Sequence, residues 1–280
     1  MNYENDNEYI LLDAQDYFNQ NNYQKCIDLC QTVLDKDPNN QNANILTAIS
    51  FQKLKQHHKA IALFEKHLDN TKSQSATWRW YALALFNAAI YDKSETVFQD
   101  LAVAYPKDGD VWYSFGYFKL FKKEYEVAIK MFSKSIEIGV IEMHLVYFNR
   151  GIAYYNLKEF NSAIADMEKT IELEPEHAEA AAILAEIYKI IGNSVKAIEY
   201  YSRSLYFNPE NGKLRFNRLT YLLNLKDENG KISYHQMAQQ DADKLTPNFH
   251  EYIKLTSNEG EPMTVIKVTI TEEGAMDFEV

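Results

Sequence analysis

A period of 34 residues runs through most of this chain and constrains its fold more than any other feature. Pro38, Pro106, Pro175 and Pro209 are separated by whole multiples of the period, with one additional residue in the second interval. The period divides the chain into six units, of which only the fourth has an extra residue: 7–40, 41–74, 75–108, 109–143, 144–177 and 178–211. Such a period predicts a stack of similar helical units, each buried against its neighbours.

Two positions of the repeat contain only small residues. The eighth position holds Ala14, Ala48, Ala82, Gly116, Gly151 and Ala185, and the twentieth holds Cys26, Ala60, Ser94, Ala128, Ala163 and Ala197. Small residues at fixed points let two helices approach closely, and larger side chains between them fill the remaining volume. We therefore predict that both positions lie where helices cross.

These positions resemble the tetratricopeptide repeat family, whose signature is W-x2-L-G-x2-Y, then A-x3-F, then P, on a 34-residue period. The fourth unit reads Trp112-x2-Phe115-Gly116, followed by Ala128-x3-Phe132. The resemblance implies an all-α, right-handed superhelical solenoid of six helix-turn-helix repeats. It also implies that the first helix of each repeat lines a concave groove.

Some positions depart from the family pattern. Lys119 stands where an aromatic residue is expected, and Lys72 and Val140 replace the closing proline. Because residues 138–143 carry the extra residue and lack the proline, we expect a local change of pitch there.

The last part of the chain differs in kind from the repeats. Residues 212–225 repeat the first-helix pattern and are predicted to form a capping helix with no second helix after it. In the tail, residues 226–280, Ser233 can begin a short helix to about Lys244. Residues 263–270 and 275–280 alternate in polarity around a turn, which predicts a β-hairpin. The sequence thus predicts a repeat domain, 1–225, followed by the tail.

Composition excludes several functional classes. The net charge of −11 opposes nucleic-acid binding, which needs cationic groups to neutralise phosphates. No apolar run is long enough to predict a membrane span. With no apparent secretory signal and only two cysteines, we expect a reducing, cytoplasmic location.

The sequence contains no recognised catalytic or nucleotide-binding motif, so we expect a non-enzymatic protein without cofactor or metal. Cys26 and Cys30 occupy packing positions and are predicted to be buried structural thiols. Residues 226–234 resemble part of a calcium-binding loop, but Leu225 and Gln236 stand at its first and last ligand positions. Without those carboxylates an Asn-Gly turn is the better interpretation.

The groove face is the candidate binding site, because its predicted positions are more apolar than a solvated surface requires. The predicted peptide-binding residues are Trp80, Phe86, Tyr113, Tyr117, Phe148, Asn149, Ile152, Tyr155 and Asn217. Part of an apolar stripe is usually inter-helix core, and that alternative stays open here. Asn at the thirteenth position of alternate units is interpreted as a helix C-cap rather than a ligand contact: Asn19, Asn87, Asn156 and Asn224.

Some members of the family bind the carboxyl-terminal tails of chaperones through a clamp of Lys, Asn and Arg residues. Around Asn149 the corresponding places hold Tyr113 and Tyr117 before it, and Glu179 and Ile183 after it. The clamp is therefore absent, and chaperone-tail binding is not expected.

The leading hypothesis is an adaptor or scaffold that binds a protein or peptide partner in the groove. The alternative is a self-assembling subunit that forms a homodimer through the hairpin or the end repeats. The tail is predicted to fold back in cis onto the last repeats, with its acidic groups near a cluster of four cations: Arg203, Lys213, Arg215 and Arg218.

Overall fold

The computed structural model of the chain describes residues 3–68, 75–226, 228, 233–245, 267–270 and 276–279. These residues form fourteen α-helices and two short β-strands. The helices are α1 (Tyr3–Asn19), α2 (Tyr23–Leu34), α3 (Gln41–Lys53), α4 (His57–His67), α5 (Ser75–Asn87), α6 (Tyr91–Ala104), α7 (Gly109–Phe121), α8 (Tyr125–Ile138), α9 (Met143–Asn156), α10 (Phe160–Leu173), α11 (Ala178–Ile190), α12 (Ser194–Phe207), α13 (Gly212–Asn224) and α14 (His235–Leu245). The prediction of six helix-turn-helix repeats is confirmed, since α1 to α12 form one pair in each repeat. Within the described residues, no helix is both long and apolar enough to span a bilayer.

Short polar side chains begin several of these helices. The side chains of Asn22, Asn40, Asp108, Asn193 and Asn211 each accept a hydrogen bond from a backbone N–H of the helix that follows. Those N–H groups have no acceptor inside the helix, so the caps satisfy donors that the helix leaves unpaired.

The turn between the two helices of every repeat has the same unusual backbone. The fifteenth residue of each repeat has a positive φ, between 60° and 79°: Asn21, Lys55, Ala89, Lys123, Lys158 and Gly192. Only Gly192 can adopt this left-handed conformation without a steric penalty. The tight reversal between paired helices is therefore set by the repeat geometry rather than by a glycine in the sequence.

The chain divides into two compact units, Met1–Leu157 and Lys158–Val280. In the first unit, which contains α1 to α9, consecutive helices pack against each other. The first helices of successive repeats, α1, α3, α5, α7 and α9, also contact one another in that order. They thus form a continuous face, which we call the groove face of the first unit.

Both small-residue positions of the repeat are buried in all six units, as predicted. Ala163 and Ala197 are completely inaccessible to solvent. A Cβ atom at Gly116 would lie 2.8 Å from the ring of Phe132, which is too close for any larger residue without movement of that ring. The small residues therefore set the distance between paired helices.

Lys119, the departure from the family pattern, is buried between two carboxylates. Its Nζ lies 2.5 Å from Glu95 Oε1 and 2.8 Å from Glu124 Oε2. The two ion pairs compensate the burial of the ammonium group, so the helix pair tolerates a charge at an otherwise aromatic position.

In the second unit, α14 packs against α13. Leu219, Leu222, Ala238, Ala242 and Leu245 form one buried cluster between the two helices. α14 is the short tail helix that the sequence predicts from Ser233 to about Lys244, and it lies on the capping helix α13.

A buried ion cluster joins the same two helices. Arg218 donates from Nε to Asp241 Oδ2 at 2.7 Å and from Nη2 to Asp241 Oδ1 at 2.6 Å. Arg215 Nη1 lies 3.4 Å from the same carboxylate, and Asp241 is completely inaccessible. An acidic group of the tail thus meets the cationic cluster in cis.

Two strands follow α14. β1 (Lys267–Ile270) and β2 (Met276–Glu279) pair antiparallel, with Lys267 opposite Glu279 and Ile270 opposite Met276. β1 passes beside α14 in the second unit. Residues 271–274, where the turn was predicted, lie outside the described residues.

Candidate functional site

The groove face of the first unit contains two open cavities. One, of about 580 Å³, lies between α1 and α3 and is lined mainly by aliphatic residues, among them Leu11, Leu12, Ile45 and Ile49. The other, of about 470 Å³, lies between α5 and α7 and is bordered by residues 140–142. We call it the α5–α7 pocket, and its aromatic and charged lining makes it the more chemically specific of the two.

The wall of the α5–α7 pocket is the connection that carries the extra residue of the fourth repeat. This connection lies directly on the first turn of α7, since a Cβ atom at Gly109 would be 2.5 Å from the carbonyl oxygen of Gly139. Gly139 itself has a φ of 96°, a conformation that favours glycine. The two glycines thus allow residues 140–142 to border the pocket.

Apolar side chains form most of the pocket. Trp80 and Leu83 enter from α5, Tyr113 from α7, and Val140 and Ile141 from the connecting wall. Ile141 is fully exposed at the rim. A large aliphatic side chain held in water beside an aromatic pocket is a feature of interaction surfaces.

Charged groups surround one end of the pocket. Arg79 Nη1 lies 2.9 Å from Asp110 Oδ2. Burial lowers the pKa of the Arg79 guanidinium, and the nearby Asp108 carboxylate opposes that shift. Arg79 is thus held by acidic neighbours on α7 and its N-cap. Glu142 also lines the pocket and is exposed.

Tyr113 is half-buried, and its pKa is raised to about 12, first by burial and then by the neighbouring Tyr117 and Glu142. Its hydroxyl oxygen accepts a hydrogen bond from Asn149 Nδ2 at 3.3 Å. The same amide donates to the Leu145 carbonyl at 2.8 Å. Asn149 is only 7% exposed, so its buried amide holds the Tyr113 hydroxyl in position.

The structure distributes the predicted peptide-binding residues between surface and core. Tyr117 is 42% exposed, whereas Phe86 is 8% exposed and belongs to the core. The Phe86 ring centroid lies 4.8 Å from that of Phe121 and 5.6 Å from that of Phe118, both in edge-to-face arrangements. Phe86 therefore supports the groove face from beneath rather than forming its surface.

The remaining predicted residues are partly buried. Trp80, Phe148, Ile152 and Tyr155 lie on first helices of the first unit. Asn217 belongs to the second unit, where its Nδ2 lies 3.5 Å from Glu186 Oε1. The structure thus brings Trp80 and Tyr113 together around one pocket. Tyr117 lies close enough to Tyr113 to contribute to the raised pKa of that phenol.

The repeat pattern did not identify Arg79, Asp110 and residues 140–142 as parts of the pocket. The extra residue in the fourth repeat was the available signal, because an insertion at a fixed point of a repeat places a longer loop on one face. The thirteenth-position asparagines are the last residues of α1, α5, α9 and α13. The C-cap interpretation is wrong for Asn156 and Asn224, because the residues that cap α9 and α13 are Leu157 and Leu225. In these two asparagines the side-chain amide donates to the carbonyl four residues earlier, from Asn156 to Ile152 and from Asn224 to Thr220.

Cys26 and Cys30 are free and completely buried, which confirms their packing role. Among the described residues, no group of three or more His, Cys, Asp or Glu side chains could hold a metal ion. The calcium-loop look-alike falls largely on positions 227 and 229–232, which lie outside the described residues.

Comparison with known families decides the identity. Residues 144–177 match one tetratricopeptide repeat family, and residues 109–138 and 178–211 match another. The chain contains tetratricopeptide repeats. Its first 67 residues also match the family described as anaphase-promoting complex, cyclosome, subunit 3.

Curated proteins match parts of the chain. Heat shock protein STI1 of Saccharomyces cerevisiae is 28% identical over 89 residues, which are 32% of this chain and 15% of that protein. The Hsp70-Hsp90 organizing protein of Triticum aestivum is 31% identical over 91 residues, which are 32% of this chain and 16% of that protein. This chain therefore matches about one sixth of the length of these curated relatives.

A solved structure supports the fold over a longer stretch. The crystal structure of the APC/C hetero-tetramer Cut9-Hcn1 aligns with a TM-score of 0.68 and 18% identity. The alignment covers 77% of this chain and 43% of that one. At this identity the likeness establishes the all-α repeat solenoid and nothing about the partner.

Proposed function

We propose that this tetratricopeptide repeat chain is a non-enzymatic adaptor in the cytoplasm, and that it binds a peptide or extended protein segment on the groove face of its first unit. The observation that carries the proposal is the α5–α7 pocket. Its apolar lining opens next to the exposed ring of Tyr117 and the exposed side chain of Ile141. Exposed apolar surface around a concavity is typical of sites that bind another molecule.

Two kinds of observation support a protein partner. The net charge of −11 disfavours nucleic acid. Similar proteins include an Hsp70-Hsp90 organizing protein and a subunit of an APC/C hetero-tetramer, and both names describe protein assemblies. Chaperone tails are not proposed as the ligand, because the clamp residues of that binding mode are absent around Asn149.

Partner capture by groove-face variants tests the proposal. Tyr117→Ala and Trp80→Ala should each remove the partners that the full chain captures from its native source, while the melting temperature stays close to that of the parent protein. Val103→Ala is the matched control, since Val103 is an apolar residue on the second helix α6 and is 83% exposed. The proposal would be wrong if both groove variants still captured the partners and Val103→Ala did not.

Phe86→Ala separates binding from folding. Because Phe86 is buried, truncation should destabilise the first unit by about 3–5 kcal/mol through the cavity it creates. A stable Phe86→Ala protein that loses only binding would instead assign Phe86 to the ligand.

The homodimer remains the competing picture, and a mass measurement in solution separates the two. If the tail docks in cis, the adaptor is a monomer in solution. Deletion of 245–280 then exposes apolar surface on the last helices. A full-length dimer that becomes a stable monomer after this deletion would favour self-assembly.

A further inference from the structure

The charges around the α5–α7 pocket are unequal. Asp108, Asp110 and Glu142 contribute three carboxylates, and Arg79 is the guanidinium among them. Lys53 adds a cation on the side of α3, where its Nζ lies 5.0 Å from the centroid of the Trp80 ring. The balance at the pocket remains negative.

Arg79 and Glu142 differ in what they can offer to a ligand. Arg79 already pairs with Asp110, and its side chain is only 20% exposed. An anionic ligand would have to compete with that carboxylate and would meet Glu142 and Asp108 nearby. In contrast, within the described part of the chain Glu142 has no cation at ion-pair distance, and its side chain makes no capping bond to α9.

Glu142 is also placed beside apolar surface. It follows Ile141, which is fully exposed, and it is close enough to Tyr113 to contribute to the raised pKa of that phenol. A carboxylate at the rim of an aromatic pocket complements a ligand with an apolar part and an adjacent cation.

We propose that the α5–α7 pocket binds a peptide segment whose apolar side chain enters between Trp80, Leu83 and Tyr113, and whose neighbouring Lys or Arg pairs with Glu142. This inference rests on the proposed function and specifies its ligand. The fourth repeat has the extra residue that places Glu142 at the border, so this repeat sets the sequence preference of the groove.

A phage-displayed library of random dodecapeptides, selected on the full chain, provides the probe. The expected result is enrichment of peptides with an aromatic or aliphatic residue within two positions of Lys or Arg. Enrichment of Asp or Glu beside the apolar residue would overturn the inference. No enrichment above an uncoated surface would overturn the proposed function together with it.

The selected peptide, synthesised and labelled, then allows an affinity test. Glu142→Gln should weaken its binding about two- to fivefold, the range of an exposed ion pair. Glu126→Gln, an equal charge change on an exposed residue of the second helix α8, should leave affinity unchanged. Glu142→Lys should prefer the same peptide with its cation replaced by Glu.

The failures of the two proposals are distinguishable. Binding that Trp80→Ala abolishes but Glu142→Gln leaves unchanged would refute the role of Glu142 and keep the groove as the binding site. Binding that neither variant reduces would refute the groove itself. Loss of the charge-reversal preference in Glu142→Lys would likewise refute the inference.

Discussion

The ion cluster between α13 and α14 provides a sharp test of whether it holds α14 on α13. Asp241→Ala removes the carboxylate that both Arg215 and Arg218 approach, and all three residues are less than 10% exposed. Removal of one partner from a buried ion pair costs about 3–5 kcal/mol, because the opposite charge stays buried without compensation. The substitution should therefore release α14 from α13.

Amide hydrogen exchange is the appropriate assay, because stability in repeat proteins is distributed over units rather than expressed in one transition. A loss of about 3–5 kcal/mol corresponds to roughly 150- to 4,000-fold faster exchange in α13 and α14. Exchange in α3 to α8 should stay unchanged. Asp243→Ala is the matched control, since Asp243 is exposed on the same helix.

Equal exchange rates in Asp241→Ala and Asp243→Ala would refute the reasoning. They would mean that α14 is held by its apolar contacts alone, or that it does not dock on α13.

Three further predictions concern single residues. Ala163→Leu and Ala197→Leu should each overpack a buried helix crossing and destabilise the second unit by about 1–3 kcal/mol, measured by denaturant unfolding; unchanged midpoints would show that these positions are not crossings. Lys119→Ala should cost about 2 kcal/mol, since Glu95 and Glu124 then face each other without a cation, and equal midpoints for Lys119→Ala and the parent would contradict it. In an alkaline absorbance titration, Tyr113 should ionise near pH 12, above the ordinary tyrosine range. Because folding raises the pKa of Tyr113, the contribution of its protonated phenol to the stability of the fold is complete below about pH 10. That contribution is lost as the pH rises through about 12. Subtraction of a Tyr113→Phe titration isolates the phenol, and a transition near pH 10 would exclude the burial described here.

The repeat fold could be predicted from sequence because its signal is redundant. Twelve small positions, read within one chain, each report a helix crossing, and their burial follows from packing alone. Departures such as Lys119 could not be interpreted in advance. Whether a buried cation is tolerated depends on Glu95 and Glu124, which reach it only through the folded arrangement of α6, α7 and their turns.

The pocket was only partly predictable for a similar reason. Periodicity identified first-helix positions such as Trp80 and Tyr113, but it could not divide them between core and surface. Phe86 of α5 and Tyr117 of α7 were both assigned to the groove face, yet Phe86 is covered by rings of α7 whereas Tyr117 is exposed. The wall of residues 140–142 follows from a close approach to Gly109, which no local pattern encodes.

Site-specific photo-crosslinking tests directly whether ligands bind on the groove face of the first unit. A benzophenone amino acid is introduced at Tyr117 in one variant and at Val103 in another, and each protein is irradiated with the library-selected peptide. We predict a covalent adduct from position 117 and none from position 103. An adduct from position 103 alone would contradict it.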